Sequence, residues 1–472
     1  MNKFYLTSAI PYVNARPHIG HALEFLQADT VARYQKLLGK DVLFLCGSDE
    51  NAIKNVQAAE KAGKPIQNFI DENATYFEEL AKHLNVQFDI FQKGSSETHK
   101  IASQKLWELC DKNGDIYKKA YKGLYCVGCE EFKSPGELNE NGECPEHPGK
   151  QLEEIEEENY FFKLSHYQDQ LLALIESGEY EIVPEFRKNE ITSFIKSGLQ
   201  DFSISRSNER AKNWGVPVPN DPNQRIYVWF DALNIYQSGI GFATDEENYK
   251  KWWPADVHVI GKGIIRFHAV YWPAILLSAG LKLPKKLFVH EYFTVNGQKM
   301  SKTLGNVVNP LDIIEKYGTD ALRYFCLAKI SPFQDGDFSE EKLKEAYNSD
   351  LANGLGNLVS RVAKLAERHN LTPTDEVLEL DEKVRHAIDH YKFNEALGII
   401  WKLISEADQE INRTKPWELE EVQAKKVLSD LCQRIVTIAH NLQPFLPTTA
   451  EKILEQYSGE IKSSTPLFPR IA

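Results

Sequence analysis

The chain has 472 residues, a length that corresponds to roughly two to four folded units. Hydrophobic residues make up 42 % and charged residues 26 %, which argues against a disordered, collagen-like or membrane-embedded protein. The net charge of -13 argues against nonspecific attraction to nucleic acid, so any RNA site must be a local basic surface. The sequence contains no export signal and no apolar run long enough to cross a bilayer, and we expect a cytoplasmic protein without membrane contact.

The first 46 residues predict a βαβ unit of an α/β fold. Strand-like FYLTS precedes an amphipathic helix that should end at Gly39, and the apolar strand VLFLC follows. A continuous apolar strand after a helix is typical of a parallel sheet that is covered on both faces. Because such sheets bind ligands beyond the carboxyl ends of their strands, the segment after FYLTS is the first candidate site.

The remaining sequence predicts a split Rossmann-like sheet, an insertion and a helical end. Strand-like IYVWF and VHVIG resume the sheet after a turn-rich, acidic stretch, and helical periodicity replaces strand signals toward the end of the chain. We expect a first catalytic half at 1–115, an inserted connective domain at 116–225, a second catalytic half at 226–295, a basic loop region at 296–340 and a helix bundle at 341–472.

The motif PHIGH at 17–21 stands directly after the first predicted strand. A helix N-terminus offers free backbone N–H groups and partial positive charge to phosphates, and Gly20 permits a close approach. The imidazoles of His18 and His21 can donate to phosphoryl oxygens. The letters alone favour a capped helix with two surface histidines, but their position on a βα turn favours ATP binding.

A short basic loop, KMSKT at 299–303, follows the turn signal NG at 296–297. The ammonium groups of Lys299 and Lys302 can follow charge that builds on a phosphate under in-line attack. The motif by itself fits an ordinary solvated basic loop equally well. About 280 residues separate it from the histidines, yet a split sheet would bring both motifs to the same edge.

Three of the seven cysteines lie close together in the predicted insertion. Two residues separate Cys126 from Cys129, and Cys144 and His147 repeat this spacing 14 residues later. Two ligand pairs at this spacing are typical of a tetrahedral Cys3His zinc site that leaves no open coordination position. We therefore expect one structural Zn²⁺ per chain, with chance placement of the cysteines as the alternative.

Two polar stretches of the predicted bundle could read RNA. Asn357 and Arg361 share a helical face, although an ordinary solvated face gives the same pattern. Pro416 and Trp417 place an aromatic ring beside a rigid proline and two cations. A base stacked on Trp417 would contribute roughly 1 to 3 kcal/mol, enough to recognise a splayed nucleotide.

HIGH followed by KMSKT resembles the paired signatures of class I aminoacyl-tRNA synthetases, and further stretches resemble the methionine-specific family of that class. The resemblance extends over essentially the whole chain. It implies activation of L-methionine with ATP and Mg²⁺, then transfer to the 3′-terminal adenosine of tRNA(Met), including initiator tRNA. The residues implied for ATP binding are His18, Gly20, His21, Lys299, Ser301 and Lys302. The two histidines and two lysines among them would be catalytic, with the lysines stabilising the α-phosphate.

The same resemblance implies a methionine site in which Asp49 pairs with the substrate ammonium and so orients its carboxylate toward ATP. An aromatic pocket suits a thioether, because sulfur makes favourable contacts with ring edges. By burial statistics alone, these aromatic residues would belong to the core and Asp49 would cap a loop. The residues implied for methionine binding are Ala9, Ile10, Tyr12, Asp49, Trp229, Ala232, Leu233, Tyr236, Ile264 and His268, with Phe267 and Trp272 in the same stretches.

The resemblance also implies a zinc knuckle in the insertion, a tRNA stem-contact region at 296–340 and anticodon contacts from Asn357, Arg361, Pro416 and Trp417. Where many relatives have an acidic residue that could bind a ribose hydroxyl, this chain has Gly263. The chain stops where some relatives continue into a dimer-forming module, and we expect a monomer.

Three alternatives stay open at this point. The insertion, of about 110 residues, leaves little room for the large editing domain of leucine and isoleucine enzymes, but a synthetase for leucine or cysteine would share both motifs. A noncatalytic tRNA-binding relative would keep the bundle without activating an amino acid. A small-molecule nucleotidyltransferase could share the His-x-Gly-His helix start, although it would need no RNA-binding bundle.

Overall fold

The computed structural model describes residues 2–128, 131–133, 135–300, 305–372 and 378–471. In chain order the strands are β1 Lys3–Ser8, β2 Asp41–Ser48, β3 Ile90–Lys93, β4 Ile116–Cys126, β5 Glu131–Lys133, β6 Glu153–Phe162, β7 Glu181–Val183, β8 Phe202–Ser203, β9 Ser205–Ser207, β10 Pro217–Val218, β11 Asp221–Ile226, β12 Val257–Gly261, β13 Lys286–His290, β14 Phe293–Val295, β15 Gln298–Lys299 and β16 Gly336–Phe338. The helices are α1 Ile19–Leu37, α2 Ile53–Lys61, α3 Ile66–His83, α4 Glu97–Lys112, α5 Gln168–Ser177, α6 Glu185–Lys196, α7 Val228–Ala232, α8 Ile235–Ser238, α9 Glu246–Trp252, α10 Trp272–Ser278, α11 Pro310–Tyr317, α12 Thr319–Ala328, α13 Glu340–Ala346, α14 Asn357–Arg368, α15 Glu382–Asp389, α16 Phe393–Thr414, α17 Glu421–Leu442 and α18 Pro447–Gln456.

A parallel sheet with strand order β3-β2-β1-β12-β13-β7 forms the centre of the molecule. Strand β1 lies between β2 and β12, so the two distant halves of the chain meet at its centre. Because the paired strands are parallel, their carboxyl ends open onto one edge. The predicted split α/β sheet is therefore confirmed.

The prediction that IYVWF resumes this sheet is wrong. Ile226 ends β11, which pairs with β9 and β10 in a separate sheet, and the next residues form α7. A short apolar run fits a buried helix as well as a strand, and periodicity cannot separate the two. The central sheet resumes instead at β12, the predicted VHVIG, and takes its edge strand β7 from within the expected insertion.

Side chains alternate between the two faces of the sheet, as strand geometry requires. Leu6 and Phe44 belong to a core shared with α1 and α3, whereas Tyr5 and Leu45 belong to a core shared with α4 and α10. The first core continues through α12 into the C-terminal helices. The sheet domain and the bundle therefore share this first core.

The C-terminal helices form the expected bundle. The buried side of α16 carries residues at helical spacing. Helix α17 packs against both α14 and α16. No helix in the described ranges combines the length and the apolar character that crossing a bilayer requires. The buried residues of α16 are Phe393, Ala396, Leu397, Ile400, Ile404, Ala407 and Ile411.

Arg323 of α12 joins the sheet domain to the bundle and is fully buried. Its guanidinium pairs with Asp29 of α1 at 2.8 Å and donates to the carbonyl oxygen of Leu84, after α3, at 3.1 Å. It also donates to the carbonyl oxygens of Phe445 at 2.7 Å and Pro444 at 3.2 Å, between α17 and α18. A buried guanidinium with this many partners fixes three elements relative to one another.

We expect Arg323→Met to lower the free energy of unfolding by about 3 kcal/mol, because buried carbonyl oxygens lose their donor and Asp29 loses one of its cations. Urea unfolding followed by circular dichroism measures this change. Arg434→Met is the matched control, since Arg434 forms an exposed ion pair with Asp430 and should change stability by less than about 0.5 kcal/mol. Equal effects of the two substitutions would contradict the role of Arg323.

Candidate active site

The start of α1 lies beyond the carboxyl end of β1 and is capped by the predicted histidines. The N–H of Gly20 donates to Nδ1 of His18, and the N–H of His18 donates to Nδ1 of His21, both at 3.1 Å. Burial, and next the neighbouring His18, hold the pKa of His21 well below its usual value. Since both Nδ1 atoms accept, each neutral ring carries its proton on Nε2, where it can donate to an oxygen of a ligand.

The KMSKT segment begins next to this helix start. Asn296 and Gly297 have φ angles of 51° and 74° and close the hairpin of β14 and β15, as the turn signal predicted. The methyl group of Met300 lies 3.4 Å from the position that a β-carbon on Gly20 would take. Ser301, Lys302, Thr303 and the side chain of Lys299 lie outside the described part of the chain. The hairpin and Met300 place the start of this segment at the same edge of the sheet as the start of α1.

The residues predicted for methionine binding gather at the ends of β1 and β2. Tyr12 and Asp49 form a parallel bridge, and the Asp49 carboxylate is buried. The ring of Trp229 stacks on Phe267 at 3.8 Å between centroids, and Tyr12 meets Trp229 edge to face at 6.1 Å. Ala9, Ala232 and Leu233 are buried in the same core, and Ile10 and Ile264 pack against it. The arrangement is an aromatic cluster with one carboxylate at its edge.

Tyr236 and His268 form a hydrogen-bonded pair inside this cluster. Nδ1 of His268 donates to the carbonyl oxygen of Ile264 at 3.0 Å, so Nε2 accepts from the Tyr236 hydroxyl at 2.8 Å. Burial lowers the pKa of His268 to about 4, and the ring is neutral at neutral pH. Tyr5 and Tyr180 carry no sequence signal for this site, yet their hydroxyls donate to the backbone carbonyls of Tyr236 at 2.5 Å and His268 at 2.8 Å.

Tyr292, which follows β13, occupies the space beside Gly263 at the end of β12. The Gly263 N–H donates to the Tyr292 hydroxyl oxygen at 2.8 Å, and a β-carbon at position 263 would lie 2.5 Å from that oxygen. An acidic side chain at 263 would therefore displace Tyr292. The residue is 42 % exposed, but burial around its hydroxyl raises its pKa to about 12, so the O–H remains a donor. No local sequence signal indicated Tyr292, because the contact joins two strands.

Cys126, Cys144 and His147 converge in the insertion. Their candidate ligand atoms all lie within 4.8 Å of one another, and Nδ1 of His147 is 3.8 Å from the Cys126 sulfur and 3.9 Å from the Cys144 sulfur. Both cysteines are buried. Cys129 lies outside the described residues. Thiolates and an imidazole at these separations fit three corners of a tetrahedral zinc site.

The two polar stretches of the bundle meet at the end of α16. Arg361 of α14 donates to Asp408 and to Asn412, each at 2.8 Å. Asn357 is exposed one turn away on α14, and Trp417, after the buried Pro416, is 48 % exposed. Arg361 therefore links α14 to Asn412 near the end of α16, five residues before Trp417.

A split parallel sheet with both motifs at one edge, an insertion and a helix bundle are the architecture of a class I tRNA synthetase. The family model described as tRNA synthetases class I (M) matches residues 4–363, and the anticodon-binding domain of tRNA ligase matches 375–470. The chain belongs to this class I (M) family.

Several proteins similar to this chain are named methionine–tRNA ligases. The chain is 42 % identical to the methionine–tRNA ligase of Thermotoga maritima, covering 98 % of this chain and 76 % of that protein. It is also 42 % identical to the methionine–tRNA ligase of Nostoc, covering 96 % of this chain and 89 % of the other. Among solved structures, methionyl-tRNA synthetase of Mycobacterium tuberculosis in complex with methionyl-adenylate matches with a TM-score of 0.92 and 37 % identity over the full length of both chains.

The low pKa of His268 predicts a pH dependence of stability. An unfolded histidine titrates near 6.5 and the folded one at about 4, so between these values the unfolded chain binds more protons and stability falls as pH falls. From pH 7 to pH 4.5 this residue should contribute a loss of roughly 2 to 3 kcal/mol. Urea unfolding at both pH values should reveal a correspondingly smaller loss in His268→Gln. The exposed His386→Gln is the control and should keep the wild-type dependence; identical dependence in all three proteins would contradict the assignment.

Proposed function

We propose that this protein is a methionine–tRNA ligase. The methionine carboxylate attacks the α-phosphate of ATP, giving methionyl-adenylate and pyrophosphate, and the methionyl group then passes to the 3′-terminal adenosine of tRNA(Met), including initiator tRNA. Mg²⁺ accompanies ATP as part of the substrate. The named relatives and the adenylate-bound neighbour support the reaction. We also propose that the protein acts as a monomer in the cytoplasm.

The contact of Met300 with the start of α1 carries the proposal. It supports an ATP site in which Nε2–H groups of His18 and His21 meet phosphoryl oxygens beside the hairpin that leads into KMSKT. Charge grows on the α-phosphate oxygens during in-line attack, and donors aimed at those oxygens stabilise the transition state. The helix N-terminus adds its own N–H groups and partial charge.

The aromatic cluster supports methionine as the substrate. Trp229 and Phe267 offer ring surfaces to a thioether, and the buried Asp49 suits an ammonium group. The neutral His268 is fixed by Tyr236, so this histidine adds no positive charge that would attract an acidic amino acid. Each methylene of difference is worth only about 1 to 3 kcal/mol, so selectivity depends on shape and on the sulfur contact together.

We further propose that Cys126, Cys129, Cys144 and His147 hold one structural Zn²⁺ per chain. The convergence of three of these ligands supports the site. A Zn²⁺ bound there would supply stability to the insertion and no catalytic chemistry, because four protein ligands complete its coordination. Nζ of Lys54 donates to the carbonyl oxygen of Gly128 at 3.4 Å and lies 3.3 Å from the Tyr12 ring centroid, which links the knuckle to the methionine site.

Lys302→Ala should slow methionine-dependent ATP–pyrophosphate exchange on the order of a hundredfold or more, the effect of losing a transition-state donor. The control is Lys250→Ala on the surface of α9, which removes an exposed lysine paired with Glu246 and should leave exchange unchanged. Wild-type exchange by Lys302→Ala would reject the role of this lysine.

The same assay with a panel of amino acids tests the proposed function: exchange driven by leucine or cysteine, or no exchange, would reject it.

Metal analysis of freshly purified protein should give about one zinc per chain, since a dedicated structural site retains its metal. Cys144→Ser should bring the zinc content below about half an equivalent, because three ligands hold zinc less tightly than four. Cys432→Ser, which changes a buried cysteine of the bundle, should retain the metal. Wild-type protein with less than half an equivalent would contradict the site.

A further inference from the structure

A buried carboxylate stands at the base of the β14–β15 hairpin. Glu291 lies between β13 and β14, and its side chain is almost completely buried. Its Oε1 accepts a hydrogen bond from Nε of Arg187 on α6 at 2.9 Å, and Nη2 of the same guanidinium donates to this oxygen as well. Its Oε2 lies 2.7 Å from Nζ of Lys262, which follows β12. Both carboxylate oxygens of Glu291 therefore face cations from other elements.

Lys262 extends this group of charges to the start of β16. Its Nζ lies 2.7 Å and 2.8 Å from the two carboxylate oxygens of Asp335. Oδ1 of Asp335 accepts from the N–H of Tyr292 at 2.9 Å, and the N–H of Gly336 donates to the carbonyl oxygen of Tyr292 at 2.9 Å. The charges therefore surround the point at which β14 and β16 begin. We call this group the ion cluster, and its members are Arg187, Lys262, Glu291 and Asp335.

Strand β16 connects the ion cluster with the turn of the hairpin. Strands β14 and β16 pair in parallel, so the start of one fixes the register of the other. Oδ1 of Asp337 on β16 accepts from the Thr294 hydroxyl at 2.8 Å and from the N–H of Gly297 in the turn at 2.6 Å. The turn that leads into KMSKT is therefore hydrogen-bonded to a strand whose start lies in the cluster.

Arg187 connects the ion cluster with the expected insertion. It lies on α6, and β7, which precedes α6, pairs with β13 of the central sheet. Hydrogen bonds between a guanidinium and a carboxylate are stronger than those between neutral groups, and salt screens a buried pair only weakly. Glu291 therefore joins α6, β12 and β16 at the base of one hairpin.

We propose that Glu291 is a positioning residue for amino-acid activation, because it fixes the hairpin that leads into KMSKT relative to the edge of the sheet where α1 begins. The inference rests on the proposed function. Donors for an in-line attack tolerate little displacement, and a shift of about 1 Å costs up to on the order of a hundredfold in rate. Asp49 and Trp229 lie after β2 and on α7, outside the elements that Glu291 joins. Loss of Glu291 should therefore slow adenylate formation and leave methionine binding intact.

Glu291→Gln in the full-length protein tests the proposal. The amide keeps the size of the side chain and removes its charge, while Arg187 retains Glu190 and Lys262 retains Asp335, so we expect the variant to fold. The kcat of methionine-dependent pyrophosphate exchange should fall about tenfold, with the KM for methionine within about twofold of wild type. Glu291→Asp should recover part of the loss. Glu190→Gln is the matched control, since it removes the exposed carboxylate from the same arginine and should leave exchange unchanged.

A double variant separates positioning from a general loss of structure. If Glu291 acts through the KMSKT segment, its substitution has less to displace once the transition-state lysine is gone. Glu291→Gln should therefore lower kcat by no more than about threefold in the Lys302→Ala background, a non-additive effect that a double-mutant cycle measures. Should Glu291→Gln prove unstable, Lys262→Met removes the more exposed partner of the carboxylate and repeats both measurements.

A kcat of Glu291→Gln within about twofold of wild type overturns the proposal. So does a fall of the same size in the wild-type and Lys302→Ala backgrounds, because the loss would then not act through the KMSKT segment. A rise in the KM for methionine that matches the fall in kcat also overturns it. These results are distinct from failure of the proposed function, because in that case the wild-type protein itself would lack methionine-dependent exchange.

Discussion

The N–H group of Ile19 donates to the carbonyl oxygen of Val308 at 3.1 Å, and the Met300 methyl group lies against Gly20. These two contacts tie the start of α1 to the segment that leaves the β14–β15 hairpin, nearly three hundred residues further along the chain. A triphosphate site needs donors on both sides of the phosphate chain. Without this junction, the histidines would cap an ordinary helix far from the β14–β15 hairpin.

The junction is kept in place by the packing of the sheet domain on the bundle. Arg323 reaches α1, the end of α3 and the α17–α18 connection from one buried position, and the apolar core continues across the same boundary. Interiors packed in this way transmit displacement rather than absorb it. The bundle that carries Trp417 is therefore packed directly against the sheet domain.

The aromatic cluster around Trp229 lies between two regions that carry different polar groups. On one side, the start of α1 offers neutral imidazoles and backbone N–H groups. On the other, the insertion offers the paired arginines of β9 and β11 and the cysteine knuckle, and Lys54 connects that knuckle to Tyr12.

The sequence by itself determined the class of the fold, the two motifs, the turn at Asn296 and Gly297 and the cysteine spacing, because each is a local pattern with a local physical cause. Only the tertiary structure decided that IYVWF divides between β11 and α7, that β7 joins the central sheet, and that Tyr292 lies beside Gly263. It also decided the pairing of Arg206 with Arg225. Short apolar runs fit strand and helix alike, and contacts between distant strands leave no periodicity in the chain, so these features depend on packing that no local window of sequence contains.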